Sequence, residues 1–295
     1  MSRSLLLPVA CASLLAVVTA CGSDDAPAGG SGSGVPDPNG SGSAPGGKAD
    51  GASDWETVGY GATYRDMPDA TGAGIAVVYG GYGAKLGWVQ GWAKELYAVR
   101  LAQAGVRHLY AVQGPKDAAY AAAEIGNTGL AKHLVPRVEP GAPIVVFAHS
   151  SGTFPAHELF AHLFEHGLDP EEVTRKRIVY YHLEGGTLGL DAGVVGELSH
   201  AYFVSARDQT VNTLAANYWV SQDLGQKYAA SGGSSIVVDV PESGCASGGR
   251  WCLHDAVVNT RPHQPKAYDL EHDYQVFEPA PRALQTDYID ATLPW

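Results

Sequence analysis

The clearest fold signal in this chain is the segment Ile144-Val-Val-Phe-Ala-His-Ser-Ser-Gly-Thr153. Its first five residues are apolar and largely β-branched, which is typical of a strand buried on both faces of a parallel sheet. Small residues follow, and a helix pattern begins near Phe154. Because open α/β sheets bind their ligands at the carboxyl ends of the strands, we expect the Ser150 hydroxyl to be exposed at such an edge.

Outward from this stretch, strand patterns alternate with helix patterns. Strands are predicted over Ile75–Tyr79, Val106–Val112, Ile144–Ala148, Ile178–His182, Ala201–Ser205 and Ile236–Val240. Helices are predicted from about Val89 to Gly105, over Asp117–Ile125, over Leu130–Leu134 and from about Phe154 to His166. Strands separated by helices form βαβ units. The predicted fold class is therefore α/β, with a mostly parallel central sheet and helices on both of its faces.

The composition excludes several classes of partner. The 295 residues include 31 acidic side chains against 19 Lys and Arg, which gives a net charge of −12. Nucleic-acid binding needs a basic face, so no nucleic-acid partner is expected. The same charge opposes long-range attraction of anionic substrates. A hydrophobic content of 45% is too high for a disordered chain.

The amino terminus has the pattern of an export signal. Arg3 precedes an apolar run from Leu5 to Val18. This run is too short to span a membrane but fits the core of a signal peptide. It ends in Val18-Thr19-Ala20-Cys21, which resembles a bacterial lipobox. The resemblance implies an exported lipoprotein held on a membrane by acyl chains on Cys21.

Two details bear on this leader. Gly22 resembles the residue found after the lipidated cysteine in lipoproteins sent to an outer membrane, which favours the outer membrane or cell surface. The alternative is plain secretory cleavage after Ala20. Residues 22–52 are rich in Gly, Ser and Pro without periodicity, and they predict a flexible tether. The expected organisation is a signal peptide over 1–20, lipidated Cys21 and linker over 21–52, and one domain over 53–295.

The remaining cysteines predict a disulfide. Once Cys11 is removed with the leader and Cys21 is lipidated, Cys245 and Cys252 are left. Export places them in an oxidising compartment, and they are close in sequence with two glycines between them. A small disulfide loop is expected, and a free pair of thiols is the alternative.

The segment Ala148-His149-Ser150-Ser151-Gly152, between a strand and a helix, resembles the nucleophile elbow of the α/β hydrolase superfamily, with Ala in place of the first Gly of G-x-S-x-G. The resemblance covers about residues 56 to 295. It implies an α/β hydrolase fold with Ser150 as nucleophile, held in a strained backbone conformation by a tight turn of small residues. A serine-rich turn that only caps the helix is the alternative. Two antiparallel strands that usually begin this fold are not evident, although Tyr60–Tyr64 has the character of a remnant. The short segment between Glu184 and His200 predicts no large cap domain.

The resemblance also implies an acid and a base, in the chain order Ser, acid, His. Asp208, just past the predicted strand Ala201–Ser205, is the expected catalytic acid. An Asx turn is the alternative role for this residue. Glu184, after the preceding strand, is the second candidate for the acid, and Asp191 is a weaker third.

The expected base is His254, which follows the last predicted strand in Trp251-Cys-Leu-His-Asp-Ala. A disulfide ending two residues earlier would hold its loop in place and limit misplacement of the imidazole. His263 and His272, further along the chain, are the rival histidines.

An oxyanion hole needs two backbone N–H groups directed at the developing charge. Ser151 is expected to supply one N–H group. The glycine-rich stretch Tyr79-Gly80-Gly81-Tyr82-Gly83 is expected to supply the other, from Tyr82 or, second, Gly81. A flexible turn is the alternative for this stretch. Trp88, Trp92 and Tyr82 are candidate walls of an open cleft, with core packing as the alternative for both tryptophans.

Metal and cofactors are not expected. His157-Glu158-x-x-x-His162 is one residue too long for a zinc-protease helix. We interpret His157, His162 and His166 as the surface of an amphipathic helix.

The resulting hypothesis is a serine hydrolase acting on uncharged carboxylic esters, small or polymeric. An amidase, peptidase or thioesterase on the same fold, or a non-catalytic surface binding module, are the alternatives.

Overall fold

The computed structural model describes residues 54–59, 61–94, 98–115, 121–166, 175–240 and 249–258, together with residues 289 and 292. All of them belong to one compact unit, Gly51–Trp295. The expected leader with Cys21, the tether, Cys245 of the predicted disulfide, and the rival bases His263 and His272 lie outside the described residues.

In the described part of the chain, nine strands form one sheet. Their bounds are β1 Glu56–Gly59, β2 Ala62–Asp66, β3 Gly74–Tyr79, β4 Val106–Val112, β5 Ile144–His149, β6 Ile178–Leu183, β7 His200–Asp208, β8 Thr213–Leu214 and β9 Gly233–Asp239. The order is β1-β2-β4-β3-β5-β6-β7-β8, and β9 also pairs with β7. The pairs β3–β4, β3–β5, β5–β6, β6–β7 and β7–β9 are parallel. The carboxyl ends of the central strands therefore meet at one edge.

Helices cover both faces of this sheet. Their bounds are α1 Leu86–Trp92, α2 Ala98–Gln103, α3 Ala121–Leu134, α4 Thr153–His166, α5 Ala192–Glu197, α6 Tyr218–Lys227 and α7 Gly249–Ala256. One core cluster packs α1, α2 and α7 against alternate sheet residues such as Val145 and Phe147. The other packs α3 to α6 against the intervening residues, such as Ile144 and Val146. This alternation is that of a strand buried on both sides, and the predicted fold class is confirmed.

The amino-terminal hairpin departs from the prediction. Strands β1 and β2 pair antiparallel, and β2 pairs antiparallel with β4. Sequence patterns missed β1 because its residues are exposed or half-buried and form no apolar run. The expected remnant at Tyr60–Tyr64 falls partly on β2. The two antiparallel strands expected for the fold are thus present.

Several helices also differ from the predictions. The helix expected from Val89 to Gly105 overlaps α1 and α2, with residues 95–97 between them outside the described ranges, whereas α3 is one helix where two were predicted. Helix α6 was missed because only Ser221, Leu224 and Gly225 on it are buried. Between β6 and β7 the chain carries the short helix α5. Within the described ranges, no helix is both long enough and apolar enough to cross a bilayer.

Candidate active site

Ser150 lies at a sharp turn between β5 and α4. Its φ is +53°, a left-handed conformation that few residues other than glycine adopt. A single 3₁₀ turn, Ser150–Gly152, leads into α4. The Thr153 hydroxyl donates to the Ser150 carbonyl at 2.8 Å. The strained backbone that the sequence predicted at this serine is therefore present, and the turn that creates it is held by the first residue of α4.

The glycine-rich loop after β3 lies directly against this turn. A Cβ at Gly152 would collide with the Gly80 carbonyl oxygen, so only glycine permits this approach. A Cβ at Gly81 would lie 3.0 Å from the Ser150 Cβ. Gly81 is buried, whereas Tyr82 is exposed. The structure thus brings Gly81, the second of the two candidate donors, next to the serine.

His254 lies on α7, where the sequence analysis expected a loop. The imidazole is buried, and its Nδ1 is 3.4 Å from Oε2 of Glu184. Its ring centroid is 4.8 Å from that of His149, the residue before Ser150. Burial lowers the pKa of His254 to about 4, which leaves the imidazole neutral at neutral pH. A neutral imidazole at this place can accept a proton.

Glu184 follows β6 and is fully buried, again with a left-handed φ of +53°. Its Oε1 accepts from the Ala206 N–H at 3.2 Å and its Oε2 from the Asn217 N–H at 2.9 Å. The Asn217 side-chain amide also donates to the Glu184 carbonyl. Burial raises the pKa of Glu184 to about 8, while the two backbone donors act in the opposite direction. These contacts fix the carboxyl group with one oxygen toward His254.

Asp208, the expected acid, has a different set of contacts. It is buried at the end of β7, and its Oδ1 accepts from the N–H groups of Thr210 at 2.9 Å and Val211 at 3.2 Å. These are the bonds of an Asx turn. The structure thus brings Glu184, and not Asp208, to His254. The Asp208 carboxyl group is engaged within its own loop, whereas donors from distant segments hold the Glu184 carboxyl group with Oε2 toward His254.

Asp191, the third candidate acid, caps a helix. Its Oδ1 accepts from the Val194 N–H at 2.8 Å at the start of α5. That bond satisfies one of the free donors at the helix terminus, and it gives this carboxylate a structural role.

Two buried residues beside the site were missed by the sequence analysis. His149 places Nε2 2.9 Å from the His254 carbonyl oxygen and 3.7 Å from Oδ1 of Asp255. Of the described residues, His149, His254 and Asp255 are the group whose ligand atoms could hold a metal, within 4.8 Å of one another. A carbonyl oxygen only accepts, however, so His149 Nε2 carries a proton. This nitrogen therefore has no lone pair to offer a metal ion. The one sequence signal for His149 and Asp255 was that each is adjacent to a predicted catalytic residue, Ser150 and His254 respectively.

The tryptophans of α1 pack against the core. Trp88 and Trp92 are half-buried against the cluster on that face of the sheet. Trp92 stands edge-on to His149, with ring centroids 6.0 Å apart. Both tryptophans therefore pack against the core, which was the alternative given for them. Trp92 also contacts His149, the residue before Ser150.

The predicted surface role of His157 on α4 is wrong. This imidazole is buried, and its Nδ1 donates to the Leu188 carbonyl at 2.7 Å while its Nε2 accepts from the Tyr180 hydroxyl. The neighbouring His182 donates from Nε2 to the Gly186 carbonyl at 2.8 Å. The two imidazoles thereby hold the segment that follows Glu184. Burial lowers the pKa of His157 to about 3 and that of His182 to about 4.

The sheet order, the strand–turn–helix unit at Ser150 and the helices on both faces define an α/β hydrolase fold. Neither protein-family models nor curated protein sequences give a match. Among solved structures, an esterase of Pyrobaculum calidifontis is similar at 12% identity and a TM-score of 0.44, covering 63% of this chain and 74% of its own.

Two further structures give comparable values. A carboxyl esterase of the fungus Tuber melanosporum has 12% identity and a TM-score of 0.41, over 61% of this chain and 71% of its own. A bacterial heroin esterase has 11% identity and a TM-score of 0.39, over 64% of this chain and 76% of its own. With TM-scores below 0.5, the fold assignment rests on the strand order and turn geometry of this chain itself.

Proposed function

We propose that this protein is a serine hydrolase that cleaves carboxylic esters, with Ser150 as nucleophile, His254 as base and Glu184 as acid. One observation carries the proposal: a buried imidazole paired with a buried carboxyl group lies beside the strained turn that presents Ser150. A serine hydroxyl is a weak nucleophile until such a base removes its proton.

In the proposed reaction, Ser150 Oγ attacks the ester carbonyl while its proton passes to His254 Nε2. The oxyanion is stabilised by the N–H of Ser151 and by one from the loop at Gly81 and Tyr82. Glu184 orients the imidazole and stabilises the imidazolium ion. His254 then protonates the leaving alcohol. Water, deprotonated by the same imidazole, releases the acid from the acyl-enzyme and restores the serine.

The edge of the sheet favours uncharged esters. In the described part of the chain, the exposed large hydrophobic residues are Tyr82, Leu188, Val211 and Trp219. The first three follow the carboxyl ends of β3, β6 and β7, whereas Trp219 lines a cavity that includes Gly233 at the start of β9. Exposed apolar residues after these strand ends, in an acidic protein, suit an ester with an apolar acyl or alcohol group better than an anionic one.

A fluorophosphonate probe tests the proposal, since it reacts covalently with an activated serine. The wild type is expected to be labelled, and Ser150→Ala is expected to remain unlabelled. A series of short- and long-acyl nitrophenyl esters, with a matched anilide and thioester, then measures the preferred leaving group. Equal labelling of the two proteins, or turnover that survives in Ser150→Ala, would contradict the assignment.

We also propose that the chain is an exported lipoprotein anchored to a bacterial membrane through Cys21. The support is the apolar run from Leu5 to Val18, which ends in the lipobox-like sequence Val18-Thr19-Ala20-Cys21. Growth with a labelled fatty acid in a bacterial host is expected to label the wild type but not Cys21→Ser. Membrane fractionation gives the second measurement, and label incorporated equally by both proteins would contradict the anchor.

A further inference from the structure

Two buried titratable residues flank the proposed catalytic pair without a part in its chemistry. His149 precedes Ser150 in sequence and is 3% exposed, and Asp255 follows His254 and is 4% exposed. Burial of such groups is unfavourable unless hydrogen bonds or charges compensate for it. Their placement therefore calls for a physical explanation.

The contacts of His149 explain its own placement. Its Nε2 lies 2.9 Å from the carbonyl oxygen of His254 and donates its proton there. Oδ1 of Asp255 lies 3.7 Å from the same nitrogen, beyond hydrogen-bond distance. Trp92 packs edge-on against the imidazole of His149. The ring is therefore fixed by a hydrogen bond and by packing.

On the basis of the proposed function, we propose that His149 is a positioning residue, which ties the helix that carries the base to the strand that carries the nucleophile. Its hydrogen bond joins the residue before Ser150 to the backbone of His254, across a sequence separation of 105 residues. A displacement of about 1 Å between catalytic groups can lower a rate by about 10²-fold. A direct bond between the neighbours of both groups limits that displacement.

The protonation states suit this role. Burial, together with the adjacent His254, lowers the pKa of His149 to about 3. His149 thus stays neutral and does not compete with His254 for the proton from the serine. Burial and the nearby Glu184 raise the pKa of Asp255 to about 8, so this carboxyl group adds little charge beside the base at neutral pH.

A matched pair of variants tests the proposal in the full-length protein. In His149→Gln the side-chain amide can donate to the His254 carbonyl, whereas in His149→Met a side chain of similar length cannot. For a nitrophenyl ester, kcat is expected to fall about 10²-fold in the Met variant and less than about fivefold in the Gln variant. KM is expected to stay within about twofold in both. Equal rates for the two variants would overturn the positioning role.

A second measurement does not depend on how the variants fold. Nitrogen-15 NMR of the histidine-labelled wild type is expected to show His149 as the neutral Nε2–H tautomer between about pH 5 and pH 8. A proton on Nδ1, or titration near pH 6.5, would overturn the proposal. Fluorophosphonate labelling of the wild type is measured first. If the wild type is not labelled, the proposed function itself fails, and the positioning role that rests on it fails too.

Discussion

Glu184 and Asp208 invite comparison because they follow neighbouring strands of the same sheet and have similar environments. Both are buried, and each accepts two backbone N–H groups. The donors to Asp208 lie two and three residues further along the chain, whereas those to Glu184 come from β7 and from the turn before α6. Asp208 therefore closes a local turn, and Glu184 is held by distant segments with Oε2 toward His254. Burial and position at a strand end do not by themselves define a catalytic acid.

The strongest test of this comparison is Glu184→Gln against Asp208→Asn. The glutamine keeps the shape of the side chain but cannot ionise to the carboxylate that stabilises the imidazolium ion. We expect kcat to fall about 10³- to 10⁴-fold, the size of effect seen when a triad acid is made neutral. Nitrophenyl ester turnover and the rate of fluorophosphonate labelling measure it. A loss below tenfold in Glu184→Gln, or a larger loss in Asp208→Asn, would reverse the assignment.

The pH profile sharpens the comparison further. Because burial lowers the pKa of His254 to about 4, the imidazole stays neutral well below pH 6.5. The labelling rate is expected to stay nearly constant from about pH 7 to pH 5, to be halved near pH 4, and to fall about tenfold per unit below that. Asp208→Asn should leave this profile unchanged. If the labelling rate already falls at pH 6.5 or above as the pH is lowered, the base that activates the serine is not this buried imidazole.

The same measurement needs a stability control at each pH. The folded-state pKa values of His157 and His182 lie below the usual 6.5, so these two imidazoles bind fewer protons in the folded protein than in the unfolded chain. Their contribution to stability is complete above pH 6.5 and is lost as the pH falls toward 3 to 4. Circular dichroism at each pH separates this loss from titration of the base.

The smallest expected effect on activity concerns the turn at Asp208. In Asp208→Asn, the amide oxygen can accept from the same two N–H groups, and kcat should stay within about threefold of the wild type. In Asp208→Ala those two N–H groups, which belong to exposed residues, lose their acceptor. At about 0.5–1.5 kcal/mol per bond, the free energy of unfolding should fall by about 1–3 kcal/mol. Chemical denaturation measures the loss. If stability is unchanged in the alanine variant, the carboxylate does not hold the turn.

The local parts of this molecule could be predicted from its sequence. The six apolar strands and the small residues around Ser150 are contiguous signals, and Ser150 does adopt the strained turn that they indicate. The candidate acid could not be chosen in this way, because contacts with the distant residues Ala206 and Asn217 direct the Glu184 carboxyl group toward His254.

Other misses have equally specific causes. Strand β1 has no apolar run, since it lies at the edge of the sheet with its residues exposed or half-buried. Helix α7, Gly-Arg-Trp-Cys-Leu-His-Asp-Ala, is short and opens with a glycine, so its pattern favours a loop. The role of His149 depends on a contact across 105 residues, which no local pattern contains.

The left-handed backbone at Ser150 and Glu184 has a consequence for engineering this protein. Of the described non-glycine residues, these two and Asn212 have positive φ, and such a conformation costs about 1–3 kcal/mol each. Glycine at either of the first two positions would relieve that strain and abolish the proposed chemistry. A library of variants selected only for resistance to heat would therefore enrich such inactive glycine variants. A useful screen must measure ester turnover as well as thermal stability.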